Sequence, residues 1–398
     1  RLTSPGLNFY NSRPRHEALL MDMDGAVLHR WKSDKDQPGV EEQNWSKVWG
    51  HFDFAGWHHS ELRPDGSVLA IVHYQAVIKL DWDSRVLWSA PVTAHHDLDV
   101  ADNGDVYVLD ARVINIKRGG KTRIFLDNGV VVLSPDGKRK RRFSLYKLLS
   151  KAGKTRKLLA RAVKDGLDVY DQALTQGYEI ASKMTPSLNL TLMAKQLRNI
   201  LDDKFTGSLR TRLMFLTGLY PIDMLHTNSL EIIREDAPGR WRKGDLLLSL
   251  RSLNLVLVLD PEGGKVRWTW GPGELQRQHQ PTVVDGNHVL LFDNGEESRG
   301  SRVLEVDPAK DQVVWTYKGK TPSDFFSIIR GGNQQLPNGN VLITDSEKGR
   351  ALEVTRAGEV AWEYYNPDLS LVAIILLRAP IYRMTRFPLD MFKDRLHP

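Results

Sequence analysis

Apolar and polar residues alternate along most of the chain, in short runs separated by turns that carry Gly, Pro, Asn or Asp. One unit recurs: a polar turn with Gly, an alternating strand, a second strand ending in Leu-Asp or Val-Asp, another turn, and a strand ending in Trp. The clearest copies span residues 61–88, 245–268, 285–315 and 336–362. This alternation with these turns is typical of antiparallel strands joined by hairpins.

A more divergent copy runs from residue 97 to residue 133, and residues 18–31 supply half of another, so that six units result. The chain therefore predicts an all-β fold, a six-bladed β-propeller, in which radial stacking buries both faces of every small sheet. We expect the tryptophans that close the units to pack between neighbouring sheets, a structural role that needs no chemistry.

Residues 144–217 depart from the repeat, because their apolar residues are spaced at three and four, which predicts amphipathic helices. An α-helical insertion is thus expected between blades three and four. The predicted organisation is blades 1–3 in residues 1–143, the insertion in 144–217, blades 4–6 in 218–367 and a C-terminal tail in 368–398.

The chain has 398 residues, 41% of them apolar and 26% charged, which is typical of a soluble globular protein. Residues 138–212 hold 18 lysines and arginines against 6 acidic residues, so the net charge of +6 comes from the insertion. Such a segment suits an anionic membrane surface, an acidic partner protein or a cover over an anionic substrate, and a solvated face without a specific partner is equally open. Nucleic acid is not expected, since aromatics are sparse there and no groove-reading motif is present.

The absence of cysteine excludes disulfides, cysteine-based zinc fingers and thiol catalysis. The chain begins with Arg1, so we expect a processed or truncated form. Its longest apolar run, near residues 371–377, is too short to span a bilayer.

Six of the 12 histidines share one phase of the repeat, immediately before or at the start of a unit: His58, His59, His95, His96, His226 and His279. Inner strands of a propeller run along its central channel, so these side chains are expected to converge on one axial pocket; simple packing is the alternative. Clustered imidazoles serve as metal ligands, acids and bases, nucleophiles or anion binders. Only Asp97 adds a carboxylate at this phase, which disfavours a metal, although nitrogen-only sites exist.

Several motifs carry a family resemblance. Residues 225–230 (LHTNSL), 246–251 (LLLSLR) and 265–268 (KVRW) resemble the His-x-Asn-Ser, Ser-x-Arg and Trp passage of bacterial arylsulfotransferases, the nucleotide-independent aryl-sulfate sulfotransferases. Similar matches follow in three further stretches, at residues 278–279 (QH), 290–307 and 336–367. The resemblance covers nearly the whole chain apart from the helical insertion.

The resemblance implies roles for individual residues. His279 matches the sulfated nucleophile, His226 and Arg251 match groups that hold the sulfuryl oxygens, and Asn228 matches the asparagine beside that histidine. A further pocket histidine is implied from one of two pairs, His58 with His59 or His95 with His96.

The implied reaction moves a sulfuryl group from a phenolic sulfate ester to a phenol through a sulfohistidine. No cofactor is expected, and no Gly-rich loop precedes a helix to cradle the phosphates of an adenosine-phosphosulfate donor. The resemblance also implies export to the periplasm, compatible with an N-terminal membrane anchor ahead of residue 1. Two alternatives stay open: a non-catalytic propeller subunit that docks through its basic insertion, and a metal-dependent hydrolase that uses the same histidines.

Overall fold

The computed structural model describes residues 2–12, 15–33, 56–118, 121–151, 153, 155–164, 223–372 and 375–396. In this part of the chain, six four-stranded antiparallel sheets stand around a central channel. Each sheet is formed by strands that follow one another along the chain, except the first, which takes its innermost strand from the C-terminus. The predicted six-bladed propeller is confirmed.

The first three sheets, each given from its innermost to its outermost strand, have the following bounds. Sheet one consists of β26 (Ile381–Phe387), β1 (Leu7–Ser12), β2 (Glu17–Met21) and β3 (Val27–Lys32). Sheet two consists of β4 (Trp57–Leu62), β5 (Val68–Val72), β6 (Ala76–Leu80) and β7 (Val86–Ala90). Sheet three consists of β8 (Ala94–Val100), β9 (Val106–Arg118), β10 (Lys121–Leu133) and β11 (Arg139–Ser144).

The remaining three sheets follow the same order. Sheet four consists of β12 (Thr227–Ile232), β13 (Leu246–Leu250), β14 (Leu255–Leu259) and β15 (Val266–Trp270). Sheet five consists of β16 (His279–Val284), β17 (His288–Glu296), β18 (Gly300–Asp307) and β19 (Gln312–Lys318). Sheet six consists of β20 (Gly332–Gln335), β21 (Val341–Asp345), β22 (Arg350–Val354) and β23 (Val360–Tyr365).

The core lies between the sheets. Six buried hydrophobic clusters correspond to the six interfaces between neighbouring sheets; the cluster between sheets three and four, for example, joins Leu109 to Leu257. Second and third strands such as β13 and β14 are buried at every residue, whereas the outer strand β23 has no buried residue. Burial on both faces explains why the middle strands carry nearly continuous apolar runs and lack polar alternation.

The tryptophans near the ends of the units join neighbouring sheets, as the repeat predicts. In four sheets the indole Nε1 donates a hydrogen bond to a group in the next sheet: Trp88 to the Pro135 carbonyl (3.0 Å), Trp268 to the Asp311 carboxylate (3.1 Å), Trp315 to the Arg356 carbonyl (2.9 Å) and Trp362 to the Met23 carbonyl (2.8 Å). These bonds satisfy the polar end of a large apolar side chain at the interface.

The C-terminal segment closes the ring. Residues 381–387, assigned from sequence to a tail outside the repeat, form β26, which pairs with β1. Arg386 of this strand lies buried between the carboxylate of Glu353 in sheet six and the side-chain oxygen of Asn8 in sheet one (2.8 Å to Asn8). Residues 369–378 form a separate hairpin of β24 (Leu369–Val372) and β25 (Ile375–Arg378), and α2 (Lys393–Leu396) follows β26.

The predicted helical insertion follows sheet three. It begins with α1 (Leu145–Lys151), and residues 155–164 are also helical. Residues 165–222, which hold the remainder of the predicted insertion, lie outside the described residues. The described part packs on sheets three and four, since Leu145 and Leu159 belong to the hydrophobic cluster between them. No helix in the described residues is long and apolar enough to cross a membrane.

The basic run at residues 138–142 belongs mainly to strand β11. Its side chains pair with carboxylates of the propeller: Lys138 with Asp136 (2.7 Å), Lys140 with Asp105 (2.6 Å), Arg141 with Glu262 (2.5 Å) and Arg142 with Asp110 (2.8 Å). Much of the charge in this run is therefore balanced within the propeller.

Candidate functional site

The six inner strands all begin at the same end of the channel. In five of them the ladder to the second strand shifts register within the first residues, near positions 58, 95–97, 228, 280–281 and 382–383. A β-bulge bends the strand and re-aims a side chain. The predicted site residues lie at or beside these bulges.

Three residues at these bulges have left-handed backbone conformations although none is glycine. The φ angle is 56° at His96, 45° at His226 and 40° at Gln280. A non-glycine residue in this conformation costs about 1–2 kcal/mol. The surrounding propeller must stabilise this arrangement, which turns the histidine side chains from the strand direction toward one another.

Imidazole rings form a continuous chain across three blades. The ring of His58 stacks on His73 with centroids 4.0 Å apart and meets the ring of His96 edge-on at 4.8 Å. The ring of His96 lies 5.0 Å from that of His95 and 5.0 Å from that of His226. With His279, whose own contacts are described below, these residues make up the histidine cluster: His58, His73, His95, His96, His226 and His279.

Two histidines of the cluster are held in the neutral form by burial. Burial lowers the pKa of His95 to about 4, against the opposing charge of Asp223. Burial also lowers the pKa of His96 well below its ordinary value, and His95 adds to this shift. Their Nδ1 atoms are 2.8 Å apart, so one must donate and the other accept. The backbone N–H of His96 donates to Nδ1 of His58 (2.9 Å), which orients that ring.

His226 is paired with a carboxylate that the sequence reasoning did not single out. Its Nδ1 lies 2.9 Å from Oδ2 of Asp223, and its backbone N–H donates to Oδ1 of the same residue at 2.8 Å. The side-chain amide of Asn128 also donates to this carboxylate (3.1 Å). Burial acts to raise the pKa of Asp223, but the charge and hydrogen bonds of His226 outweigh it and lower the pKa overall. Asp223 therefore stays ionised. Because it contacts Nδ1 of His226, the other ring nitrogen, Nε2, is the one available to a substrate.

His279 is buried at the start of β16, and burial lowers its pKa to about 3. The hydrogen bond that His279 donates to Asn294 opposes this shift, whereas the positive charge of Arg251 adds to it. Nδ1 of His279 lies 2.7 Å from Oδ1 of Asn294 and 3.0 Å from the carbonyl oxygen of Arg277. The ring is thus neutral at physiological pH.

Arg251 follows strand β13 at the same end of the channel. Its backbone N–H donates to the carbonyl of His226 (3.2 Å), and its Nε is buried without a hydrogen-bond partner among the described residues. Burial lowers the pKa of its guanidinium, and the charge of Arg277 adds to this shift while Asp223 opposes it. A half-buried guanidinium whose buried Nε is unused favours an anion, because a negative charge would offset its desolvation.

Asn228 connects the blade of His226 to the blade of His279. Its Nδ2 donates to the carbonyl of Gln278 (2.8 Å), the residue immediately before His279, and its buried Oδ1 has no partner among the described residues. The structure therefore brings His58, His95, His96, His226, His279, Arg251 and Asn228 to one end of the channel.

His59 lies instead in a polar layer across the channel. Its Nε2 is 3.4 Å from Asp97, whose two carboxylate oxygens accept from the two terminal nitrogens of Arg383 at 3.1 and 3.0 Å. The hydroxyl of Ser229 also donates to Asp97 (3.1 Å). Burial and the charge of Arg383 lower the pKa of His59 to about 3, against the charge of Asp97. We call these four residues the partition.

Beyond the partition, the channel opens into a cavity of about 860 Å³, which none of the histidine cluster lines. Among the carboxylates that line it, Glu61, Asp99 and Glu231 lie within the inner strands beyond the partition. Burial raises the pKa of Asp99, and it raises those of Glu61 and Glu231 to about 7. We call this space the carboxylate cavity.

Several residues of the histidine end escaped the sequence reasoning. His73 lies in the turn after β5, which returns to the start of its inner strand; Asp223 precedes His226 by three residues; Asn294 sits within a motif that was noted without a role; and Tyr382 belongs to the closing strand. The hydroxyl of Tyr382 donates to the carbonyl of His96 (2.9 Å). Of these four residues, only Asn294 lies in one of the stretches matched to the family motifs, residues 290–307.

The described residues were also compared with the arrangements that bind metal ions. Among the described ranges, no three His, Asp or Glu side chains are arranged to hold a metal ion. The groups at the histidine end are imidazoles, one ionised carboxylate and a guanidinium, a set that suits an anion with acid–base chemistry.

The comparisons with known proteins agree with the resemblance in the motifs. Sequence models of the arylsulfotransferase (ASST) family match residues 2–276 and 198–367. No curated protein matches the chain significantly. Among solved structures, a protein of unknown function from Bacteroides caccae is 9% identical, with a TM-score of 0.51 over 96% of this chain and 99% of its own length, which shows the fold alone. A virginiamycin B lyase from Staphylococcus aureus is 10% identical, with a TM-score of 0.41 over 85% of this chain and 86% of its own. Because the family match covers well over half of its residues, the chain belongs to the arylsulfotransferase family.

Proposed function

We propose that the protein transfers a sulfuryl group from a phenolic sulfate ester to a phenol, and that His279 carries the group between the two. The observation that supports this most is the pairing of a neutral, buried His279 with the charge of Arg251, whose Nε is buried without a partner among the described residues. A neutral imidazole is a nucleophile, and a guanidinium with free donors binds the oxygens of an anionic sulfate.

In the first half-reaction, the lone pair on Nε2 of His279 forms a bond to sulfur. The bond between sulfur and the aryl oxygen breaks, and its electron pair leaves with the phenolate. Nε2 of His226 gives a proton to that oxygen, and the ionised Asp223 stabilises the charge that His226 holds before the transfer. Arg251 stays in contact with the sulfuryl oxygens throughout.

In the second half-reaction, an acceptor phenol gives its proton to Nε2 of His226, and its oxygen attacks sulfur. The bond between sulfur and nitrogen breaks and returns the lone pair to His279. Positioning and charge stabilisation do most of this work, as they do in phosphoryl transfer.

The test uses 4-nitrophenyl sulfate, with and without phenol, followed by intact mass spectrometry. We expect an adduct of one SO₃ on the wild type that phenol discharges, and no adduct on His279→Ala. His288→Ala is the matched control, because His288 lies in the same sheet but pairs with Glu305 away from the cluster (2.7 Å). Turnover without any adduct, or an adduct on His279→Ala, would contradict the proposal.

A further inference from the structure

Asn294, the asparagine beside the proposed nucleophile His279, is fixed by hydrogen bonds through both its side chain and its backbone. Asn294 is fully buried in β17, and its Nδ2 donates to the carbonyls of Ser327 (2.6 Å) and Arg330 (2.8 Å). Both partners are carbonyl oxygens, which only accept. The amide therefore has one orientation, with Oδ1 turned toward His279.

The backbone of Asn294 is fixed as well. Its carbonyl accepts from the hydroxyl of Ser301 (2.8 Å), and that hydroxyl in turn accepts from the backbone N–H of Ser327 (3.0 Å). Ser301 and Ser327 are both buried. Side chain and backbone of Asn294 are thus tied to one loop, so its Oδ1 is a rigid acceptor.

This orientation determines which nitrogen of His279 carries the proton. Nδ1 faces Oδ1 of Asn294 at 2.7 Å and the carbonyl of Arg277 at 3.0 Å, two oxygens that cannot donate. Nδ1 must therefore hold the hydrogen. A neutral imidazole has one such hydrogen, so the lone pair is on Nε2.

We infer that Asn294 is a positioning residue that fixes the Nδ1–H tautomer of His279 and stabilises the positive charge of the ring during transfer. The inference rests on the proposed function for its second part. As Nε2 bonds to sulfur, the ring becomes cationic, and the Nδ1–H bond to Asn294 strengthens. An asparagine does this without a negative charge close to the anionic sulfuryl group, whereas the acid–base residue His226 is paired with the carboxylate of Asp223.

The experiment combines kinetics with ¹⁵N NMR of histidine-labelled protein, in which ring-nitrogen shifts report the tautomer without any need for activity. The His279 signals are assigned by their loss in His279→Ala. In the wild type we expect the Nδ1–H tautomer. In Asn294→Ala we expect a mixture of tautomers and a kcat lower by about 10- to 100-fold with little change in KM.

Two further variants separate positioning from folding. Asn340→Ala removes another buried asparagine, which bonds to the Leu2 carbonyl (2.7 Å) at the other end of its sheet, and it should leave the tautomer and kcat unchanged. Asn294→Asp loses the two bonds donated to the Ser327 and Arg330 carbonyls, but it keeps an acceptor for Nδ1–H and adds a charge. It should therefore keep the tautomer and move the acidic limb of the pH profile upward, because the carboxylate raises the pKa of His279.

The outcomes distinguish the two proposals. A wild type with the Nδ1–H tautomer and no sulfuryl transfer would contradict the proposed function alone. Active enzyme whose His279 has the Nε2–H tautomer, or an Asn294→Ala variant with unchanged tautomer and kcat, would overturn the positioning role alone.

Discussion

The same inner strands reach both ends of the channel, but they present opposite chemistry there. At the histidine end, burial keeps His279 neutral beside the cationic Arg251. At the other end, the carboxylate cavity holds Glu61 and Glu231, whose pKa values burial raises to about 7. The channel therefore favours an anion at the end where the inner strands begin, whereas at the end where they finish Arg63 and Arg234 pair with two of the carboxylates, Glu61 and Asp99.

The difference between the two ends has a structural origin. Five of the six inner strands begin with bulges, and His96 and His226, which lie at two of these, have left-handed backbone angles. Downstream, the strands continue in regular pairing, so Glu231 follows the ordinary alternation of β12. The backbone strain is thus concentrated at the end where chemistry is proposed.

The largest expected effect is a loss of folding stability when the partition between the two ends is disrupted. Arg383→Met leaves the buried carboxylate of Asp97 without its bidentate partner, and such a loss costs about 3–5 kcal/mol. The free energy of unfolding, measured in urea, should fall by that amount. Adding Asp97→Asn to Arg383→Met should restore most of it, since no unpaired charge then remains. Equal stability of the single and double variants would show that the ion pair does not hold the partition.

The next largest effect concerns the anion preference of the histidine end. Arg251→Met should lower kcat/KM for 4-nitrophenyl sulfate by about 100- to 1000-fold, because it removes the positive charge that, in the proposed mechanism, faces the sulfuryl group. Arg251→Lys keeps the charge but loses the planar donors, so we expect intermediate activity. The urea midpoint should stay close to that of the wild type, since the side chain makes no hydrogen bond to a described residue. Wild-type kcat/KM in Arg251→Met would place the anion elsewhere.

The fold could be predicted because the turn residues and the alternation of apolar and polar residues repeat along the chain. The phase of the repeat also placed His226 and His279 at one end of the channel, as the structure shows. The closing strand β26 escaped, because it carries no turn of its own and pairs with the far end of the chain. Its residues Tyr382 and Arg383 therefore had no place in the predicted site.

The second feature that the sequence did not predict is the direction in which each inner-strand side chain points along the channel. His58 and His59 are neighbours in sequence, and their phase could not assign one to the cluster and the other to the partition. A bulge depends on backbone angles and on contacts between blades, neither of which is visible in the residue pattern. For the same reason, the partners Asp223 and Asn294 were not assigned, although both lie near the predicted histidines.

The smallest expected effect is the change in the free energy of unfolding when the glutamates of the carboxylate cavity can no longer ionise. In the folded state, the pKa values of Glu61 and Glu231 are about 7, above the ordinary value for glutamate. Between about pH 4.5 and pH 7, these glutamates are therefore protonated in the folded protein but ionised in the unfolded chain. The protein loses stability as the pH rises through that window.

Changing both residues to glutamine should therefore raise the free energy of unfolding by about 1–3 kcal/mol at about pH 8 and leave it unchanged at about pH 4.5. Glu235→Gln, at an exposed residue of the same cavity, is the control and should change neither value. A gain that is equal at both pH values would mean that the substitutions act through packing, and the two ends of the channel would then differ in composition but not in electrostatic cost.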